Sequence, residues 1–152
     1  MSTVIAHERA DGPDAQTLIT ELDAYLTPLY PSESRHDYRV EKLIAQGAAF
    51  FVLRYDGAPA ACGGVQLFGE EFKDIKRMYV RPAFRGLGLT KAMLAHLEAY
   101  TQSQGVNLLR LETGIYQTEA IGLYERMGYT RTGPFSPYRE DPLSLLYEKR
   151  LN

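Results

Sequence analysis

A glycine-containing segment, Arg85-Gly86-Leu87-Gly88, carries the clearest chemical signal in the sequence. It lies between a strand-like run from Asp74 to Val80 and a helix-like run that begins near Leu87. The two glycines let the backbone approach a ligand closely, and the first-turn amides of the coming helix have no intrahelical acceptors. This junction is therefore predicted to bind an anion.

Local charge indicates what kind of anion this junction would bind. Basic residues dominate the stretch from Lys73 to Lys91, in which Asp74 is the single acid. The basic residues are Lys73, Lys76, Arg77, Arg81, Arg85 and Lys91. A Gly-x-Gly pair alone also fits an ordinary strand-to-helix turn with a solvated basic rim. If the junction is a binding site, its ligand is predicted to be a polyanion.

Two common phosphate motifs do not fit these residues. The P-loop requires four residues between its first glycine and Gly-Lys-[Ser/Thr], but here Lys91 follows Thr90. The dinucleotide fingerprint Gly-x-Gly-x-x-Gly would need glycine in place of Lys91. Nucleotide binding through this loop is therefore disfavoured.

The pattern that does fit is Arg-x-x-Gly-x-Gly/Ala, read as Arg85, Gly88 and Thr90 after a strand and Pro82. In this segment the chain resembles the GNAT acyltransferases, whose pyrophosphate loop for acetyl-CoA has this form. Thr90 stands where a smaller residue is usual, but its amide stays available. The resemblance implies acetyl-CoA as co-substrate. Its pantetheine and pyrophosphate are expected at Met78, Tyr79, Val80, Arg85, Gly86, Leu87, Gly88, Leu89, Thr90 and Lys91.

A second segment, from Gln117 to Tyr129, looks like the family's Asn-x-x-Ala-x-x-Leu-Tyr-x-x-x-Gly-Phe pattern. Gln117 replaces the usual asparagine and Tyr129 replaces phenylalanine. The resemblance implies that Gln117 and Tyr124 contact the cofactor, and that the Tyr124 phenol is the acid for the departing CoA thiolate. With reference pKa values near 10 for a phenol and about 8.5 for a thiol, that proton transfer is uphill by roughly 2 kcal/mol. Tyr124 is therefore expected to stabilise the thiolate mainly by a hydrogen bond.

Tyr124 also has a purely structural interpretation. Ala120, Leu123, Tyr124 and Met127 form an apolar stripe at helical spacing, and an aromatic residue in such a stripe usually packs in the core. Spacing alone favours this interpretation, and the resemblance favours the catalytic one.

The acceptor, if it is an amine, must lose a proton before it attacks, and a general base helps that step. The candidates are Asp74, on the strand before the loop, and Glu112, on the neighbouring strand. Either could instead be a solvated acid at a strand edge. The residues that could contact the acceptor are Tyr30, His36 and Tyr138. Each of these could equally be an ordinary surface residue, since the chain has 11 tyrosines and a lone loop histidine is a weak signal.

Hydrophobic periodicity and turn residues predict the element order β-α-α-β-β-β-α-β-α-β-β. This is an α/β fold with a mixed central sheet of about seven strands and about four helices, and the order also resembles the GNAT fold. The strands on either side of the helix that follows the glycine loop are predicted to be parallel, because a helix connects them. We expect a single N-acetyltransferase domain over residues 1–152.

Composition sets the remaining expectations. The 152 residues have a formal net charge of −2, which argues against bulk nucleic-acid binding. No apolar run is long enough to span a bilayer and no signal peptide is evident, so no membrane partner and a cytoplasmic location are expected. The single cysteine, Cys62, is predicted to be a small buried strand residue, and no cysteine and histidine spacing suggests a metal. A homodimer is compatible with the sequence.

The predicted function is transfer of an acetyl group from acetyl-CoA to a primary amine of a small molecule or amino acid, by direct attack in a ternary complex. The alternative is a non-catalytic acyl-CoA-binding module of the same fold. Thiol release from acetyl-CoA with a panel of amines would separate these two hypotheses.

Overall fold

The computed structural model describes residues 2–31, 40–68, 72–133 and 141–152. The helices and strands lie in the predicted order. They are β1 (Thr3–Glu8), α1 (Pro13–Leu26), α2 (Val40–Ala45), β2 (Ala49–Tyr55), β3 (Ala58–Phe68), β4 (Phe72–Val80), a 3-10 turn (Pro82–Phe84), α3 (Leu89–Ser103), β5 (Leu108–Gly114), α4 (Thr118–Arg126), β6 (Thr130–Thr132) and β7 (Ser144–Arg150). None of these helices has the length and apolar character needed to cross a bilayer.

The strands form one mixed sheet of seven strands in the order β1-β2-β3-β4-β5-β7-β6. The β4–β5 pair is parallel, as predicted, and the other neighbouring strands are antiparallel. The last strand, β7, inserts between β5 and β6. Sequence order and spatial order therefore differ only at this end of the sheet.

Helices cover both faces of the sheet. On one face, the apolar side of α3, with Met93 and Leu97, packs with Leu109 and Leu111 of β5 in a core that also contains residues of α4. On the other face, α1 and α2 form a second core with β2 and β3. Cys62 is fully buried in this second core, as expected, and burial raises the pKa of its thiol to about 12.

A β-bulge in β4 changes the direction of its side chains. Cys62 pairs with Tyr79 but Gly64 pairs with Lys76, so the single residue between them in β3 faces two residues of β4. Arg77 lies in this bulge with φ 58°, and its carbonyl accepts a hydrogen bond from Cys62 Sγ at 3.2 Å. The bulge breaks the period-two alternation of the strand, which matters for the site described below.

The parallel strands β4 and β5 are paired only over a short distance. Lys73 pairs with Leu109 and Asp74 with Arg110. Beyond these pairs, towards their C-terminal ends, residues of both strands line a common cavity, so the strands have separated. The sheet is thus open at the point where β4 leads into the glycine loop and α3.

Candidate active site

The glycine loop forms the N-terminus of α3 and leaves its amides accessible. Gly86 and Gly88 have positive φ values of 82° and 76°, and Gly88 is the N-cap. The first intrahelical bond runs from Ala92 N to Gly88 O at 3.1 Å, so the amides before Ala92 have no intrahelical acceptor. The helix therefore begins at Leu89 rather than near Leu87. Its first turn contains no acidic residue, which leaves the positive end of the helix dipole uncompensated.

A cavity of about 580 Å³, here called the loop cavity, lies against this N-terminus. It is lined by every predicted cofactor-binding residue except Leu87, whose side chain is about half exposed. A Cβ atom built on Gly86 or Gly88 would meet no atom of the described residues within 4 Å. The glycines therefore face open space that a ligand can occupy.

Several lining residues were not predicted from the sequence. They are Leu22, Tyr25, Phe84, Tyr116, Thr118, Glu119, Ala120, Leu123 and Arg126. Leu22 belongs to the apolar stripe of α1, so its pattern indicates only core packing. The second motif was the available signal for most of the others: Tyr116 directly precedes it, and it contains Thr118, Glu119, Ala120, Leu123 and Arg126.

Glu21 of α1 fixes the end of β4 that lines the loop cavity. Its carboxylate accepts hydrogen bonds from Arg81 Nη2 at 2.6 Å and Arg81 Nε at 3.0 Å, and from the Tyr79 hydroxyl at 3.3 Å. The hydrogen bonds from Arg81 lower the pKa of Glu21, so the carboxylate stays ionised. The pair holds α1 against the wall of the cavity.

The basic residues around the loop divide into two groups. Lys76, Arg77 and Arg81 form ion pairs with Asp74, Asp23 and Glu21, at 2.9, 2.5 and 2.6 Å respectively. Arg85 and Lys91, in contrast, line the loop cavity. Attraction of an anion to this cavity therefore comes from these two side chains, from Arg126 of α4 and from the amides of α3, rather than from the whole basic segment.

A second cavity of about 80 Å³, here called the inner cavity, lies between the separated strands β4 and β5. Glu112 lines it, together with residues of the β4 bulge and of α1. The inner cavity shares four lining residues with the loop cavity: Leu22, Met78, Gln117 and Tyr124. The two spaces are therefore adjacent, and Tyr124 is one of the four residues at their boundary.

Tyr124 is buried, and both of its proposed roles are compatible with that position. Burial raises the pKa of its phenol to about 12, so the hydroxyl keeps its proton at neutral pH. Its ring makes an edge contact with Tyr129 at 5.9 Å between centroids. Within the described part of the chain, its hydroxyl has no hydrogen-bond partner. A protonated donor thus faces the junction of the two cavities.

Gln117 is held at the start of α4. It is the N-cap residue, and its Oε1 accepts a hydrogen bond from Gly114 N at 3.0 Å. This bond closes the turn between β5 and α4 and orients the side chain that lines both cavities. Gln117, which has one methylene more than asparagine, lies in the lining of both cavities.

Asp74 lines neither cavity, whereas Glu112 lines the inner cavity. It is fully buried, and its Oδ2 pairs with Lys76 Nζ at 2.9 Å. Burial raises the pKa of this carboxyl to about 6, and the nearby Lys76 and Arg110 oppose that shift. The structure thus brings Glu112 and Tyr124 to one cavity, while Asp74 lies outside its lining and pairs with Lys76, which belongs to it.

Tyr30 lies beside the site rather than in the lining of either cavity. Its buried hydroxyl accepts a hydrogen bond from Tyr116 N at 3.0 Å, and the two rings are 5.5 Å apart. A Cβ atom on Gly114 would lie 1.9 Å from this hydroxyl, so only glycine fits at that position. Tyr30 therefore ties the segment after α1 to the β5–α4 turn. His36 and Tyr138, the other predicted acceptor contacts, lie outside the described residues.

Several proteins similar to this chain in sequence or fold carry the names of acetyltransferases or acyltransferases. The sequence profile of the acetyltransferase (GNAT) family matches residues 15–129. The IAA acetyltransferase of Azospirillum brasilense is 41% identical over 135 residues, which are 88% of each chain. A Klebsiella pneumoniae structure assigned as an acyl-CoA N-acyltransferase is 35% identical and has a TM-score of 0.84, covering 99% of this chain and 98% of that one.

A more distant structure has the same fold. It is a GNAT family acetyltransferase from Elizabethkingia anophelis with acetyl-CoA bound, at 17% identity and a TM-score of 0.74, covering 98% of each chain. The extent of the profile match and the identity to the Azospirillum relative establish the family. The chain belongs to the acetyltransferase (GNAT) family and is an acetyl-CoA-dependent N-acetyltransferase.

Proposed function

We propose that this protein transfers the acetyl group of acetyl-CoA to the primary amine of a small molecule or amino acid, by direct attack while both substrates are bound. The observation that carries the proposal is the position of Tyr124, whose side chain lines both the loop cavity and the inner cavity. Two adjacent spaces that meet at one proton donor suit a donor and an acceptor bound together. The name of the Azospirillum relative, IAA acetyltransferase, supports a small acceptor.

The residues around the loop cavity fit the cofactor. The open space beside Gly86 and Gly88 and the accessible amides of α3 suit a pyrophosphate. Arg85 and Lys91 add positive charge there, and Met78 and Val80 line the path from the loop to Tyr124. In this arrangement the thioester end of acetyl-CoA reaches the junction with the inner cavity.

In the proposed reaction, a bond forms between the amine nitrogen and the acetyl carbon, and the carbon–sulfur bond breaks. Tyr124 donates a hydrogen bond to the departing thiolate, which takes up a proton from water, and Glu112 later releases to water the proton that it accepts. Glu112 accepts the proton that the amine loses, directly or through a water molecule. Deprotonating an amine of pKa near 10.4 costs about 4.6 kcal/mol at pH 7, so a base at this position contributes usefully. We favour Glu112 over Asp74 because only Glu112 lines the inner cavity.

Steady-state kinetics with acetyl-CoA and an accepted amine test the ternary complex. Direct attack should give intersecting double-reciprocal lines when both substrates are varied. Parallel lines, or an acetylated enzyme trapped without acceptor, would contradict the proposal. Glu112→Gln should lower the rate with acceptor while leaving acetyl-CoA affinity unchanged, and a full rate in this variant would return the base role to Asp74 or to water.

A further inference from the structure

The turn that joins β5 to α4 runs from Gly114 to Gln117, and hydrogen bonds hold each of its backbone amides. Gly114 N donates to Gln117 Oε1 at 3.0 Å, and Gln117 N donates to Gly114 O at 3.1 Å. Ile115 N donates to Leu143 O at 3.0 Å, which ties the turn to the segment before β7. The remaining amide, that of Tyr116, is bonded to a side chain from a distant part of the sequence.

Tyr30 supplies the acceptor for this last amide. Its hydroxyl accepts a hydrogen bond from Tyr116 N at 3.0 Å, across 86 residues of sequence. Tyr30 is 6% exposed and packs in the second core with residues of α1, whereas Tyr116 is 54% exposed. The turn is therefore anchored by the buried phenol, since the Tyr116 side chain is itself not buried.

Gly114 gives independent evidence that the phenol and the turn fit each other closely. Gly114 is not one of the glycines with positive φ, so its backbone conformation does not require glycine. A Cβ atom at this position would overlap the hydroxyl and Cζ of Tyr30. Glycine is thus required at the end of β5 because the Tyr30 ring occupies the space beside it.

The turn leads into α4, which carries two of the residues at the boundary between the cavities. Gln117 is the N-cap of α4, and Tyr124 lies seven residues later, about two helical turns along the same side. Both residues line the loop cavity and the inner cavity. A displacement of the turn would therefore move both of them. In an active site, a misplacement of about 1 Å can lower the rate by about a hundredfold.

We propose that Tyr30 is a positioning residue for the acetyl transfer: its hydroxyl fixes the β5–α4 turn and so holds Gln117 and Tyr124 at the thioester end of acetyl-CoA. Tyr30 lines neither cavity, so it acts through the backbone of Tyr116 and not by contact with a substrate. The inference rests on the proposed function for the roles of Gln117 and Tyr124.

Tyr30→Phe tests the inference, because it keeps the buried ring and removes only the anchoring hydroxyl. Tyr147→Phe is the matched control: the hydroxyl of this buried residue donates to Glu125 Oε2 of α4 at 2.7 Å, and Tyr147 lines neither cavity. We expect kcat/KM for acetyl-CoA, measured by thiol release well below both melting temperatures, to fall at least about tenfold in Tyr30→Phe and to stay near native in the control. Equal values in the two variants would overturn the inference, since loss of a buried hydroxyl near α4 would then account for both.

A double-mutant cycle with Tyr124→Phe tests whether Tyr30 acts through Tyr124. Once the Tyr124 hydroxyl is absent, its position no longer matters to the departing thiolate. Adding Tyr30→Phe to Tyr124→Phe should therefore lower kcat by no more than about twofold, because residues that act as a unit are not additive. A further loss as large as in the native background would contradict action through Tyr124.

Calorimetry with acetyl-CoA separates this inference from the proposed function. If no amine gives thiol release with the native protein, the proposed function fails, and the acetyl-CoA affinity of the two single variants decides the inference through Gln117. A Kd at least about fivefold higher in Tyr30→Phe than in Tyr147→Phe supports a positioning role at the cofactor site. Equal Kd values would overturn it.

Discussion

The proposed chemistry of Tyr124 requires its hydroxyl, whereas its packing requires only its ring. Phenylalanine keeps the ring contact with Tyr129, and removal of a hydroxyl without a partner among the described residues leaves no polar group orphaned. We therefore expect Tyr124→Phe to keep its melting temperature and acetyl-CoA affinity. Its turnover should fall by roughly tenfold to a thousandfold, as expected for a lost acid or transition-state donor. Thermal melts, calorimetry and steady-state rates measure the three quantities.

Tyr129→Phe is the matched control for this substitution. The Tyr129 hydroxyl donates a hydrogen bond to Glu98 Oε2 at 2.9 Å, and Tyr129 lines neither cavity. Loss of a hydrogen bond to a charged group should lower the free energy of unfolding by about 1–3 kcal/mol. Turnover at a temperature below the transition should stay near normal. Normal turnover in Tyr124→Phe would assign Tyr124 to the core.

Asp74 predicts a pH dependence of stability. Burial raises the pKa of its carboxyl in the folded protein to about 6, above the ordinary value of about 3.8, so the folded state binds the proton more tightly than the unfolded state. The contribution to stability is therefore full below pH 4 and is lost as the pH rises through 6. For a fully buried group this amounts to about 3 kcal/mol.

Urea unfolding of the native protein and Asp74→Asn, at intervals from pH 4 to pH 7, measures this contribution. Asparagine does not titrate, so the difference between the two unfolding free energies should change across this range in the direction given above. If the difference stays constant with pH, Asp74 has an ordinary pKa in the folded protein. That result would mean that the ion pair with Lys76 offsets the effect of burial on this pKa. Asp74→Asn should be less stable at neutral pH, because it removes the carboxylate that pairs with the buried Lys76.

Sequence patterns identified the residues of the loop but not those of the bulge. Gly88 and Gln117 belong to motifs with fixed spacing, and the structure places both in the wall of the loop cavity. Lys76 and Arg77 lie in a strand whose regular alternation would separate them onto opposite faces. Both nevertheless line the inner cavity, beside a register shift against β3, and that shift is a property of two strands together. The neighbouring Gly63-Gly64 was the only local signal of such an irregularity.

At the scale of single elements, the two ends of α3 offer a matched pair of glycines with which to test the role of its N-terminus. Gly88 at the start of the helix and Gly105 after its end have nearly equal φ values of 76° and 77°, and a Cβ on either would meet nothing within 4 Å of the described residues. Valine should therefore cause similar backbone strain at both positions. Only at Gly88 does the added side chain project into the space expected for the pyrophosphate.

We expect Gly88→Val to weaken acetyl-CoA binding by at least about a hundredfold, because it both blocks the approach and distorts the amides that bind the anion. Gly105→Val should lose comparable stability but keep the native affinity. Calorimetry on the two folded variants gives the comparison. Equal affinities would remove the glycine loop from the binding site.

The order of the elements could be predicted from periodicity, but the position of β7 in the sheet could not. Local pattern shows that Leu143 to Arg150 is a strand, and the structure confirms a strand at Ser144–Arg150. Its insertion between β5 and β6 is decided by long-range antiparallel pairing, such as Leu111 with Tyr147. No residue in the segment carries that information alone, because strand partners are selected by packing over the whole sheet.

At the scale of the whole molecule, the site lies where two helices begin beside two parallel strands. The chain leaves β4 for α3 and leaves β5 for α4, so both helix N-termini lie at the C-terminal ends of these strands. Open α/β sheets bind ligands in this position. The helices on the two faces reach the site as well, since α1 contributes Leu22 to both cavities. A ligand that fills the loop cavity therefore contacts elements from both cores.

This arrangement predicts that acetyl-CoA stabilises the folded protein as a whole. A polyanion at a preformed helix N-terminus should bind with a Kd in the micromolar range, about −8 kcal/mol. At a hundredfold excess over Kd, linkage adds about 3 kcal/mol to the free energy of unfolding. For a chain of this size the melting temperature should rise by about 5–10 °C.

Pantetheine, which lacks the phosphates, should give a much smaller rise, and ATP should compete only weakly because the loop lacks both nucleotide motifs. An unchanged melting temperature at millimolar acetyl-CoA, or an equal rise with pantetheine, would contradict a binding site centred on the N-terminus of α3.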